Sequence, residues 1–420
     1  MGILVVRVAF ERRFLRLARR HLLGAAVAAV LGCPALGQEA PGIDVTLGLS
    51  AQTDSNLLRL PDGVSPRVAG LDHDQRGDEL LVPFALLDGA IIWSRQKLLL
   101  HAGARRMYYH TYGNFDAHIT DYRGTWRWES AEGWDGELVG GREQQVTSFE
   151  DFVGTQRNVL AITSLNGRVN WRPRSDRRVS LLYDDFRGAN SQDARRPNDY
   201  RVRSERLELA ATSAHGNEIA LGVRYTNGDY PNRIILALAP VDNSYHQTTV
   251  DLAFTYNPGG RTRLDARGGY AWRRHDEVPE RNFNARVGHF LASWEATSKL
   301  VLDAEAGRDV DAVDDFDRIF AVTTTSRAGL KFQASSKIAL AAGWQRRKID
   351  YRGDPANFLS LLFPTAPRED ALHDRTLSAI WVPAERWQLD ASYQWLDRTS
   401  NRPELQFRAR VLQLTSQYRW

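Results

Sequence analysis

Few residues in this chain are spaced for covalent or metal chemistry. Ser94 and Lys97 match the S-x-x-K spacing in which a lysine activates a serine, but they fall on a turn, without the partner motifs of such enzymes. The sequence has no G-x-S-x-G, no H-E-x-x-H, no P-loop and no dinucleotide fingerprint. Asp309, Asp311, Asp314, Asp315 and Asp317 could gather Ca²⁺ or Mg²⁺. They lack the glycine and closing glutamate of a helix-loop-helix calcium site, so a solvated acidic loop is the simpler reading. No cofactor, metal centre or catalytic residue is expected. The chemistry on offer is non-covalent. Arg168, Asp251, Arg263, Asp265, Arg267, Arg273, Arg327, Lys331, Asp390 and Arg419 alternate with large apolar residues, as do Gln247, Thr249, Thr255, Thr323, Thr325 and Gln394. Held on one face, they would line a polar channel whose arginine-leaning wall favours an anionic or neutral solute. Alternatively, the charges pair with one another across strands.

The alternation identifies the elements that hold these residues. From Trp387, the apolar positions Leu389, Ala391, Tyr393 and Trp395 alternate with Gln388, Asp390, Ser392 and Gln394. The last run, through Leu412, Leu414, Ser416, Tyr418 and Trp420, repeats the pattern. A period of two means strands with one apolar and one polar face. Ile43, Val45, Leu47, Leu49 and Ala51 do the same near the start. Short turns such as Ser94-Arg95-Gln96, Pro173-Arg174-Ser175-Asp176, Asn257-Pro258-Gly259-Gly260 and Ala334-Ser335-Ser336 alternate with longer, more charged connections at 187–199, 226–244, 309–318 and 348–370. The rhythm gives about eighteen antiparallel strands and sorts the loops by length, as an up-and-down transmembrane β-barrel does and a sandwich does not. Expected strands include a second from Glu79 to Ile92, a third from Lys97 through Tyr112 and a sixth from Val153 to Trp171.

Trp93, Trp128, Trp134, Trp171, Trp294, Trp381, Trp387 and Trp420 all sit beside a short turn or the chain end, where amphipathic rings form a membrane-interface girdle. Tyr108, Tyr109, Tyr112, Trp126, Tyr270, Trp272, Trp344 and Trp395 are placed near the opposite ends. They could stack sugar rings or form the second girdle.

The N-terminus carries Arg7, Arg12, Arg13, Arg16, Arg19 and Arg20, then a short apolar run from Leu22 to Leu31 and small residues at Ala35-Leu36-Gly37. This reads as a secretory signal, residues 1–37, cleaved before Gln38, with residues 38–420 forming the barrel. The only cysteine, Cys33, leaves with it, so the exported chain has no thiol and no disulfide framework. The formal net charge of +4 owes much to those arginines, so it does not argue for nucleic acid.

A chain that closes on an aromatic-ended strand resembles bacterial outer-membrane barrels. The resemblance implies recognition by the barrel-assembly machinery, both termini in the periplasm, and outer-membrane lipid and lipopolysaccharide as surroundings. After the first strand, Asp54-Ser55-Asn56-Leu57-Leu58-Arg59-Leu60 resembles the D-x-N-L-x-R-L stretch of EpsL-type (VpsM-like) exopolysaccharide outer-membrane proteins, within a wider group of β-barrel porins. Ser55 and Leu58 depart from the commoner acidic and aromatic residues. The resemblance implies a barrel passing polysaccharide alongside periplasmic export proteins. The alternatives are a general diffusion porin and a plugged barrel that serves the export complex structurally, with the loop at 348–370 the foremost candidate plug. Read physically, Asp54, Asn56, Leu57 and Arg59 belong to a turn in which Asp and Asn cap backbone amides.

Overall fold

The computed structural model describes residues 42–150, 156–232, 244–277, 279, 282–312, 320–352 and 367–420. The expected signal segment with Cys33, the acids Asp314, Asp315 and Asp317, and most of the 348–370 loop lie outside the described residues. The strands are β1 (Gly42–Asp54), β2 (Asp78–Trp93), β3 (Gln96–Tyr109), β4 (Ala117–Glu129), β5 (Trp134–Val146) and β6 (Val159–Arg174). They continue as β7 (Arg177–Asn190), β8 (Tyr200–Thr212), β9 (Glu218–Asp229), β10 (Tyr245–Tyr256), β11 (Thr262–His275) and β12 (Phe283–Glu295). The last six are β13 (Leu300–Ala312), β14 (Phe320–Gln333), β15 (Ile338–Arg352), β16 (Glu369–Ala384), β17 (Trp387–Ser400) and β18 (Phe407–Arg419).

Each strand pairs antiparallel with its sequence neighbours in one 18-stranded sheet. The sheet closes where β1 meets β18, with Leu47 opposite Tyr418 and Asp54 opposite Val411. Closure leaves no strand edge unpaired, which is what a sheet needs in hydrocarbon. No described helix is long and apolar enough to cross a membrane; this chain crosses with strands.

The outer face is apolar. Leu87, Leu100, Leu138, Leu181, Leu207, Leu221, Leu252, Leu377 and Leu414 are all exposed on it. In a water-soluble protein so large an apolar surface would be an aggregation hazard; in a bilayer it is the belt. At one end Trp93, Trp171, Trp294, Trp381, Trp387 and Trp420 remain on this face beside the short turns. Trp134 stacks on Trp171 with centroids 5.9 Å apart. Trp128 lies over Gly136, where an added Cβ would fall 2.4 Å from the indole ring.

The short turns are tighter than expected. Ser94 and Arg95 alone join β2 to β3, with Ser94 in the left-handed region at φ 54°. Strand ends at the opposite rim differ from expectation because they are set by tertiary contacts rather than by alternation. β6 starts at Val159 and β3 stops at Tyr109, leaving Tyr112 in the loop; Asp309 and Asp311 belong to β13. Trp126 lies near the short-turn end, because β4 runs toward the Ser130–Gly133 turn, and its indole nitrogen donates to Gln96 at 2.9 Å.

Candidate functional site

The residues facing away from the apolar belt define the bore. All nine expected lumen residues, Arg168, Asp251, Arg263, Asp265, Arg267, Arg273, Arg327, Lys331 and Asp390, occupy the inward parity of their strands, as does Arg419. Most of them are paired there, so the wall does not lean basic as a whole. Arg263 binds Asp265 at 2.9 Å, Arg327 reaches Glu305 at 3.4 Å, Lys331 reaches Asp303 at 3.4 Å, and Arg419 binds Asp44 at 2.6 Å. Asp390 accepts from Gln388 at 2.8 Å. Arg273 donates to Gln247 and lies 3.8 Å from the Tyr245 ring centroid.

The densest constellation spans β7 to β11 and centres on a residue that the sequence reading had not singled out. Arg206 on β8 donates to Glu208 at 2.9 Å and, across the whole of β9, to Asp251 on β10 at 2.8 Å. It can cross because β9 offers Gly222 at that point: an added Cβ would lie 2.0 Å from the Arg206 Nη2. Arg178 joins Glu208 to Glu218 at 3.1 and 2.8 Å. Arg267 approaches Asp251 and Glu208 at 3.4 and 3.5 Å. The side chains of Arg206, Glu208 and Asp251 are at most 5% exposed, so the cluster is packed, charge-compensated wall rather than a solvated patch.

Beside it runs a row of basic side chains in register. Arg168 faces Leu182, Leu182 faces Arg206, and Arg206 faces Arg224. Arg206 is compensated by its two carboxylates. Arg168 and Arg224 bond no carboxylate among the described residues, and the Nε of each is buried without a partner.

The long-loop end is narrowed from inside. Leu57, Leu58, Leu60 and Leu71 of the β1–β2 connection form one buried cluster with Tyr112 and Phe115 of the β3–β4 connection. They pack on Leu80 and Tyr109, which face inward from β2 and β3. The motif residues build the turn that feeds this cluster. Asp54 accepts from the Asn56 amide and pairs with Arg59 at 2.8 Å. Asn56 donates to the carbonyls of Leu60 and Arg408, each at 2.9 Å, and accepts from the Leu60 amide at 3.0 Å. Arg59 takes a left-handed φ of 56° to close the turn. Asp78 holds the other side, accepting from the amides of Thr111 and Tyr112 at 2.8 and 3.0 Å.

A strap runs from here to β15 and β17. Phe149, after β5, packs against Phe115 in a tilted ring contact, centroids 4.9 Å apart. The next residue, Glu150, accepts from Arg398 on β17 through its carbonyl and approaches Arg347 on β15 at 3.6 Å. β5 and β17 stand six strands apart around the closed sheet, about a third of its circumference, so these contacts cut across one side of the bore. The inward fold thus comes from the first, second and third long-end connections. The leucines in 57–71, aperiodic and too many for a solvated loop, were the available signal for it. Glu150 carried none.

Asp74 and Tyr112 lie in this mouth, outside the spanning strands. Hydrogen bonds from Ser65 and then Arg67 hold the Asp74 carboxyl below its usual range. Burial, followed by the charges of Asp78 and Asp74, pushes the Tyr112 phenol above its ordinary value. A phenol whose folded pKa is raised keeps its full contribution below the unfolded value of about 10 and loses it as pH climbs toward the folded value. Tyr112→Phe is therefore expected to make protease resistance of residues 55–77 less sensitive to pH above about 10. A profile identical to the parent's would count against the phenol as its source.

No protein-family model matches this sequence, and no curated protein aligns with it. The fold does have solved counterparts. OccK9 (OpdG) from Pseudomonas aeruginosa superposes with a TM-score of 0.50 at 11% identity, over 90% of this chain and 98% of that one. The outer membrane protein opdK from the same organism gives 0.48 at 9%, covering 90% and 99%. The siderophore receptor PirA from Acinetobacter baumannii gives 0.47 at 7%, covering 91% and 81%. Together with the apolar belt and the closed sheet, the likeness to OccK9 defines the class: an outer-membrane β-barrel of eighteen strands.

Proposed function

We propose that this barrel is a passive channel for small polar solutes, with a preference for anions. The observation that carries the reading is the row Arg168, Arg206, Arg224 on the inner wall, whose outer two guanidiniums bond no carboxylate among the described residues. Fixed positive charge against a low-dielectric wall raises the local concentration of anions. A sheet of this strand number is also in the range that encloses water. The decisive measurement is the reversal potential of purified protein in a planar bilayer under a KCl gradient. The parent should pass chloride in preference to potassium. Arg168→Ser combined with Arg224→Ser should cut that preference several-fold while conduction persists. A protein that never conducts, or that selects cations, would remove the proposal.

A second reading, polysaccharide passage, is supported by the resemblance of residues 54–60 to exopolysaccharide outer-membrane proteins. Here those residues spend their polar groups on a turn that helps narrow the mouth. That gives them a structural task whatever solute passes. Accumulation of polymer in a deletion strain whose small-solute uptake is normal would favour this second reading over the first.

A further inference from the structure

The lipid-facing surface differs at its two ends. At the short-turn end it presents tryptophans. At the long-loop end, on the same face, it presents exposed arginines among a row of aromatics: Arg286 on β12, Arg308 on β13, Arg346 on β15, Arg375 on β16 and Arg410 on β18. None of the five pairs with a carboxylate among the described residues, unlike Lys348 nearby, which binds Asp350 at 3.1 Å. Register makes them one arc. Arg286 stands opposite Tyr270, and Arg308 opposite Gly288, one step along the same face. Arg346 stands opposite His373, the outward neighbour of Arg375. Arg375 and Arg410 flank Trp395 from its two sides.

Charge on the lipid face is costly near the membrane midplane and tolerated only at the interface. Uncompensated guanidiniums level with the rings of an aromatic girdle, Tyr270 and Trp272 in ring contact and Tyr393 and Trp395 likewise, reach headgroup depth on their long stems. An exposed guanidinium there meets phosphate, which it binds through two parallel hydrogen bonds.

We propose that the arc Arg286, Arg308, Arg346, Arg375 and Arg410 is a binding site for the phosphate groups of the outer-leaflet glycolipid, lipopolysaccharide. Its two phosphates can engage two guanidiniums of the arc at once, whereas a phospholipid offers one. The asymmetry of the barrel then matches the asymmetry of its membrane, and the arc fixes the long-loop end as the cell-surface end. Arginine contacts phosphate directly, so the site needs no bridging divalent cation.

The test is retention of radiolabelled lipid A by the detergent-purified full-length barrel, in buffer containing a chelator. The parent should retain diphosphorylated lipid A at least tenfold more tightly than its dephosphorylated form. Replacing all five arginines by serine should abolish that difference in protein whose heat-modifiable gel mobility shows a folded barrel. Changing Lys299 and Lys337 at the other end should leave it intact. Equal retention of the two lipid A forms by the parent would overturn the site without relying on any variant. Undiminished binding by the five-fold variant would also overturn it, as would equal competition by phosphatidylglycerol.

Discussion

Arg206→Met is expected to lower the unfolding free energy of the barrel by about 3–5 kcal/mol, the range seen when one partner of a buried charge set is removed. The loss is large because Glu208 and Asp251 stay behind, both almost fully buried, without the guanidinium that bound them. Arg178 and Arg267 remain within reach of them at 3.1 to 3.5 Å, which places the effect toward the lower end of that range. Adding Glu208→Gln and Asp251→Asn to the methionine variant should recover much of the loss, since neutral amides no longer need the guanidinium. Gly222→Ala should imitate the defect with every charge retained, because its methyl would occupy the place of the Arg206 Nη2. Urea titration of the folded and unfolded gel bands in detergent measures all three. If the methionine variant unfolded with the parent, the network would be surface decoration and the row of basic side chains would have no rigid base.

This network also shows where sequence reasoning reached and where it stopped. The faces were legible: Leu207 and Leu209 point out, so Arg206 and Glu208 point in, and the same parity sets Arg168, Asp251 and Arg327 on the face away from the apolar belt. Strand number and closure followed from turns recurring at regular spacing. The partner of Arg206 was not legible, because the bond skips a strand to a residue 45 positions on and depends on a glycine in no local pattern; only register, with Gly222 between Glu208 and Asp251, aligns it beneath the guanidinium. Parity alone also suggested an arginine-leaning wall, since it counts charges without their partners, whereas register supplies a carboxylate for most of them. Aromatics were assigned to a rim by composition, which put Trp126 at the wrong end and left Tyr109 and Tyr112 as girdle residues. Both tyrosines instead face inward into the leucine cluster of the mouth, where burial outweighs the headgroup preference.

That cluster carries the second large expectation. Leu58 is fully buried within it, and Leu58→Ala should cost about 2–5 kcal/mol through lost burial and the cavity left behind. The loss should fall on the mouth alone. The barrel wall is held by a continuous ladder of eighteen antiparallel pairings, and Leu58 contributes to none of them. Heat-modifiable mobility should therefore match the parent's, while residues 55–77 become open to protease. Conductance should rise as well. Phe149 rests on this cluster, and Phe149 precedes the Glu150 that Arg347 on β15 and Arg398 on β17 hold. Loosening one anchor of the strap leaves it held by the other alone. Arg347→Ala attacks the other anchor without touching the cluster, so it should raise conductance but leave residues 55–77 protected. If neither substitution altered the single-channel current, the narrowest point would lie deeper, at the level of Arg206 and Arg224, and the mouth would serve to stiffen the barrel rather than to meter what enters it.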